Sequence, residues 1–258
     1  MNITLPFNQL QIIWTLLFAS QLVLLVVLIG RERTQRFWWF TASIAVSAVR
    51  ELINLLLTGR ISQVAFSAIY HFMAILAVLL TVFALVEITR NLFTASSLRT
   101  WTLLVASISF VSALCLYLLI PWSAQGNLDF HTQLGMLSVL HLVAICGQIT
   151  AAIAAVVIGV AALFFAPRTK GFWSSHALKI LAGFTTYSLV LISELVIGQW
   201  ISTLAHATNL AFGDYERTNA ILERLLNLPY IAMIIVQIWW IYSLWQDEGG
   251  VKKTAPGK

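Results

Sequence analysis

Seven apolar stretches of membrane length leave this chain few ways to fold. A spanning α-helix needs about 20 mostly apolar residues. Such runs lie near 10–30, 37–58, 63–88, 101–121, 134–165, 176–204 and 220–245. None alternates apolar and polar residues over the roughly ten positions of a barrel strand. A backbone facing lipid must satisfy its own hydrogen bonds, so these runs predict helices. The expected fold is an all-α integral membrane protein, a seven-transmembrane-helix bundle. Composition supports it: 60% of residues are hydrophobic and 10% charged, against about 25% charged in a soluble domain. The apolar content extends along the chain, so 1–246 reads as one membrane domain. No appended kinase, cyclase or ATP-binding module is expected. The polar stretch 247–258 reads as a short disordered tail.

Orientation follows from the basic residues. Arg31, Arg33, Arg36, Arg90, Arg99, Arg168, Lys170, Lys252, Lys253 and Lys258 fall on one side if seven helices cross, against Arg60 and Arg217 on the other. The positive-inside rule then places the N-terminus outside and the C-terminus in the cytoplasm. The net charge of +5 is thus a topology signal and not a nucleic-acid footprint, and the lipid bilayer is the expected partner. The opening MNITLPFNQL lacks the basic flank of a cleaved signal peptide. The longer loops, 122–133 and 205–219, fall outside. Cys115 and Cys146 lie in apolar runs without disulfide or metal-ligand spacing and read as small buried residues.

The segment 37–58 carries Arg50, Glu51 and Asn54 within its apolar run. On a helical wheel Ser43, Ser47, Arg50, Glu51, Asn54 and Thr58 fall within roughly 100° of arc. A charge at bilayer depth costs about 2.5–3.5 kcal/mol on insertion scales. It persists where it faces a partner or a polar interior. Other polar residues stand at similar depth. Tyr70 and His71 lie on the third helix. His141 and Gln148 share a face of the fifth, and Tyr187 and Glu194 a face of the sixth. Glu223, Asn227, Tyr230 and Gln237 form a stripe on the seventh. These residues are expected to converge on one polar cavity in the outer half. The candidate ligand-binding set is Arg50, Glu51, Asn54, His71, His141, Gln148, Tyr187, Glu194 and Asn227.

Plainer readings stand beside that one. Arg50 with Glu51 or Glu194 could form an ion pair that fixes helix packing. His71 and His141 are either hydrogen-bonded core histidines or, if they face each other, metal or haem ligands. His131, Glu223 and Arg224 read as solvated. Glu87 and Arg90 read as a local pair at a helix end, with an inner gate as the alternative.

Recognisable chemistry is otherwise missing from the sequence. No lysine lies deep in the last helix for a retinal Schiff base, and Lys179 reads as an interface anchor. No HExxH, GxSxG, CxxCH or Gly-rich phosphate loop occurs. The sequence assigns no catalytic residue, no metal site and no particular cofactor, and leans away from an enzyme.

The third-helix exit Val86-Glu87-Ile88-Thr89-Arg90-Asn91-Leu92-Phe93 and the ending Ile238-Trp239-Trp240-Ile241-Tyr242-Ser243-Leu244-Trp245 are similar to uncharacterised seven-helix bacterial membrane proteins of the acidobacterial type. The topology also resembles the seven-helix sensory modules of histidine kinases, although this sequence has no output domain. The resemblance implies a multi-pass protein of a bacterial inner membrane. The expected function is a stand-alone sensor that binds a small or lipid-like molecule and signals to a cytoplasmic or membrane protein partner. A small-molecule transporter, a haem or metal redox protein and a structural assembly partner are the alternatives.

Overall fold

The computed structural model describes residues 9–58, 60–93, 98–119, 132–165, 175–207 and 212–246. Within them lie seven α-helices: α1 (Gln9–Gly30), α2 (Trp38–Leu57), α3 (Gln63–Leu92), α4 (Leu98–Leu119), α5 (Gln133–Phe165), α6 (His176–Ala207) and α7 (Phe212–Trp245). All but α4 contain a stretch long and apolar enough to cross a membrane, the pattern of a multi-pass membrane protein. In α4 the described apolar stretch is Val105–Leu116. The 120–131 segment and the 247–258 tail lie outside the described residues, as do the side chains of His131, Glu223 and Arg224.

Helix α7 begins at Phe212, inside the 205–219 segment expected to be a loop. Hydropathy finds only the part of a helix that lipid covers. The preceding FGDYERTNAILERLL contains good helix formers, Ala, Leu, Glu and Arg, and continues the helix beyond the apolar stretch. Pro229 lies inside α7 and removes one backbone donor there.

The helix ends show why the chain turns where it does. Ser62, Thr132 and Ser175 each precede a helix. Their hydroxyls accept from the backbone N–H of Ala65 (3.3 Å), Gly135 (3.1 Å) and Leu178 (3.3 Å), satisfying donors that a helix start leaves open. Helix α1 ends in a Schellman motif. Arg33 N–H reaches Leu28 C=O (2.8 Å) and Glu32 N–H reaches Ile29 C=O (3.0 Å), with Glu32 in the left-handed conformation at φ 54°. Among the described residues, several interior hydroxyls are satisfied within their own helix. Thr41, Thr81 and Thr150 each donate to the carbonyl four residues back, at 2.8 Å.

Helix α2 lacks a side-chain cap of its own and receives one from α3. The Glu87 carboxylate accepts from the backbone N–H groups of Trp39 (3.4 Å) and Phe40 (3.3 Å). This corrects the expected local pair of Glu87 with Arg90, whose side chain is exposed. The positive end of the α2 dipole attracts the carboxylate, and the contact ties α2 to α3.

Six helices close a ring. Helix α1 packs on α2, α2 on α3, α3 on α5, α5 on α6, α6 on α7, and α7 returns to α1. Helix α4 stands outside, against α5 and α6. Among the described residues it makes no packing contact with α3, its neighbour in sequence. Toward the end carrying Arg31, Arg33 and Arg36, the residues Leu28, Phe40, Leu85, Ile158, Leu181 and Trp240 belong to one buried cluster. Phe40 of α2, Phe184 of α6 and Trp240 of α7 meet edge to face, with centroids 5.0, 5.1 and 5.8 Å apart. Each such pair contributes about 0.5–1.5 kcal/mol beyond area burial. Arg31 stacks over Trp245 at 4.6 Å, joining the exits of α1 and α7.

Candidate functional site

A cavity of ≈ 120 Å³ lies within the ring, bounded by α2, α3, α5, α6 and α7. Two features make the space. Ala74, Ala77, Ala144, Ala151, Ala152 and Ala155 line it with methyl groups only. Phe184 belongs to both the cavity wall and the aromatic trio. The cavity therefore has a close-packed aromatic floor toward the arginine-bearing end. Its polar lining is Ser47, Arg50, Thr81, Gln148, Tyr187 and Ser188.

Arg50 is the charged group of the lining, and its charge is balanced from behind. Its Nη2 and Nε both donate to Glu51 Oε1, at 2.9 and 3.3 Å. Asn54 Nδ2 donates to the other carboxylate oxygen at 3.3 Å. The Glu51 side chain is only 2% exposed and that of Arg50 24%. Adjacent residues on a helix point about 100° apart, so the pair forms because the long arginine folds back. The expected alternatives for Arg50 resolve to Glu51. The pair is internal to α2 and does not cross-link helices. Thr58 donates to the Asn54 carbonyl, while Asn54 Oδ1 is buried without a partner.

Tyr70, Tyr187 and Tyr230, from α3, α6 and α7, lie within electrostatic range of the Arg50–Glu51 pair. The Tyr187 hydroxyl also shares a hydrogen bond with Gln148 of α5. Side chains from five helices thus surround one compensated charge pair.

The sequence-predicted set divides into three groups. Arg50, Gln148 and Tyr187 line the cavity, with Glu51 and Asn54 behind Arg50. His71 and His141 meet each other across the α3–α5 seam, with ring centroids 4.9 Å apart. They stand one turn from the lining residues Ala74 and Ala144. Glu194 and Asn227 are half-buried and not among the lining residues. Gln237 is buried against α1, where it accepts from Ser20 Oγ. The expected single convergence is therefore a cavity with a separate histidine pair near it.

Sequence reasoning missed Thr81, Ser188 and the alanine walls. The AAIAAVVIGVAA run of α5 (151–162) holds three of the wall alanines, Ala151, Ala152 and Ala155; small residues of this kind also let helices approach closely. Gly159 of that run does serve close approach, because a Cβ there would meet Thr185 of α6. Thr185 Oγ1 lies 3.1 Å from the Ala155 carbonyl across the same seam.

Comparison with known proteins finds no matching family model, curated protein or solved structure for this chain.

Proposed function

We propose that this chain is a stand-alone, receptor-like membrane protein. It spans a bacterial inner membrane seven times, N-terminus outside and C-terminus in the cytoplasm. It binds a small neutral or zwitterionic polar molecule beside Arg50 and signals to a protein partner through its cytoplasmic loops. The observation that carries the reading is the cavity inside the helix ring, alanine-walled with Arg50, Gln148 and Tyr187 in its lining and Phe184 joining it to the aromatic trio. Its volume of ≈ 120 Å³ falls below the roughly 300 Å³ at which drug-sized pockets begin. That volume suits a few waters or a small solute. Because Glu51 balances Arg50, the cavity offers hydrogen bonds more than net charge.

The test is a thermal-shift panel of small polar solutes on the detergent-purified protein, with mass spectrometry of what co-purifies. Ala151→Leu fills the cavity with apolar volume and leaves the floor untouched. A stabilising solute whose effect disappears in Ala151→Leu supports the reading. A panel in which no solute discriminates the two proteins ends it.

A transporter is the second reading, because charged and amide side chains at bilayer depth also mark substrate paths. Flux of the same solute into reconstituted vesicles separates it from the receptor.

A further inference from the structure

The histidine pair is a second constellation, outside the cavity lining. His71 of α3 and His141 of α5 come from helices that are sequence-remote but packed against each other. Their rings stand 4.9 Å apart between centroids and are tilted by 60°. His71 is half-buried and His141 exposed, so the pair is reachable from outside the ring.

The separation carries information. Metal–nitrogen distances of about 2.0–2.1 Å put an imidazole centroid roughly 3.2 Å from a bound ion. Two rings on opposite sides of a haem iron then have centroids roughly 6 Å apart, with the macrocycle between them. Two rings on adjacent positions of one tetrahedral ion have centroids roughly 5 Å apart. The observed 4.9 Å matches the second arrangement and leaves no room for the first. Imidazole suits zinc, copper and nickel. Among the described residues no third His, Cys, Asp or Glu completes a cluster. The described residues therefore give the ion two protein ligands and leave its other positions open to further donors.

We propose that His71 and His141 form a two-histidine site for a divalent transition-metal ion that bridges α3 and α5. Bound there, the ion cross-links two helices one turn from Ala74 and Ala144, and so stiffens one seam of the cavity. The site does not depend on what the cavity binds.

The experiment uses the full-length protein, purified with a histidine-free tag and stripped of metal with a chelator. Unfolding midpoints are measured with and without Ni²⁺ or Zn²⁺, in wild type, His71→Ala and His141→Ala. The metal is expected to raise the wild-type midpoint. Either substitution reduces the chelate to a single imidazole and lowers affinity by about 100-fold or more, so the shift disappears in both. The Cu²⁺ electron paramagnetic resonance spectrum of wild type should show coupling to two imidazole nitrogens; this readout remains should a variant fold poorly. An unshifted wild type whose Cu²⁺ spectrum lacks nitrogen coupling overturns the proposal. So does a shift retained in both variants, which puts the ion elsewhere.

Discussion

The indole of Trp240 occupies the space that a side chain at residue 183 would fill. A Cβ on Gly183 would meet the Trp240 ring at Nε1, Cε2 and Cζ2. Trp240 is fully buried, and its Nε1 has no hydrogen-bond partner. The α6–α7 contact thus gains a large aromatic anchor and leaves one indole N–H unsatisfied. A buried unpaired donor costs about 1–3 kcal/mol.

Gly183→Ala is expected to destabilise the protein by about 1–3 kcal/mol, the usual cost of overpacking. Trp240→Phe removes the unpaired donor and the atoms facing Gly183, so it should cost less than an ordinary aromatic truncation. The double variant should recover most of the Gly183→Ala loss. Unfolding in detergent measures all three. Additive losses would show that the two residues do not share this contact.

Glu87 should behave as a helix cap supplied from another helix. Glu87→Ala removes the acceptor for Trp39 and Phe40 N–H and should lower stability by about 1–2 kcal/mol. Glu87→Gln keeps a neutral acceptor and should lose less. Equal stability for wild type and Glu87→Ala would return Glu87 to the role of a surface residue.

The Arg50–Glu51 pair should be easier to replace than to break. Glu51→Ala leaves an uncompensated arginine in the interior, and the expected loss is about 3 kcal/mol, at the low end for buried pairs because Arg50 reaches the cavity. Replacing both residues with methionine should cost less than Glu51→Ala alone. Chemical unfolding of the two variants decides it, and a double variant less stable than Glu51→Ala refutes the prediction.

Glu32→Gly should stabilise. Glu32 holds a left-handed conformation at φ 54°, which costs a non-glycine residue about 1–2 kcal/mol. Glycine takes it freely, less its larger backbone entropy in the unfolded chain. The net gain expected is about 0.5–1 kcal/mol, read as a higher unfolding midpoint.

The polar stripe of α2 was legible because charged and amide side chains stand out against an apolar background. Ser43, Glu51 and Asn54 are indeed buried, and Ser47 and Arg50 face the cavity. The histidine pair was legible as two candidates, and only their contact was hidden. The exclusion of α4 from the ring left no such mark. Where lipid is as apolar as a protein core, a lipid-facing leucine and a buried one look alike in sequence. Val26 and Ile29 are exposed while Val27 and Leu28, between them, are buried.

The sequence by itself determined the helices, their approximate extents and which helix carries a compensated charge, because length, apolarity and spacing are local properties. The tertiary structure decided the partners. It placed Glu87 on the start of α2, Trp240 against Gly183, and His71 beside His141. It also turned a run of alanines into cavity walls. Those outcomes depend on which faces meet around a closed ring, and apolar helices state that only weakly before they pack.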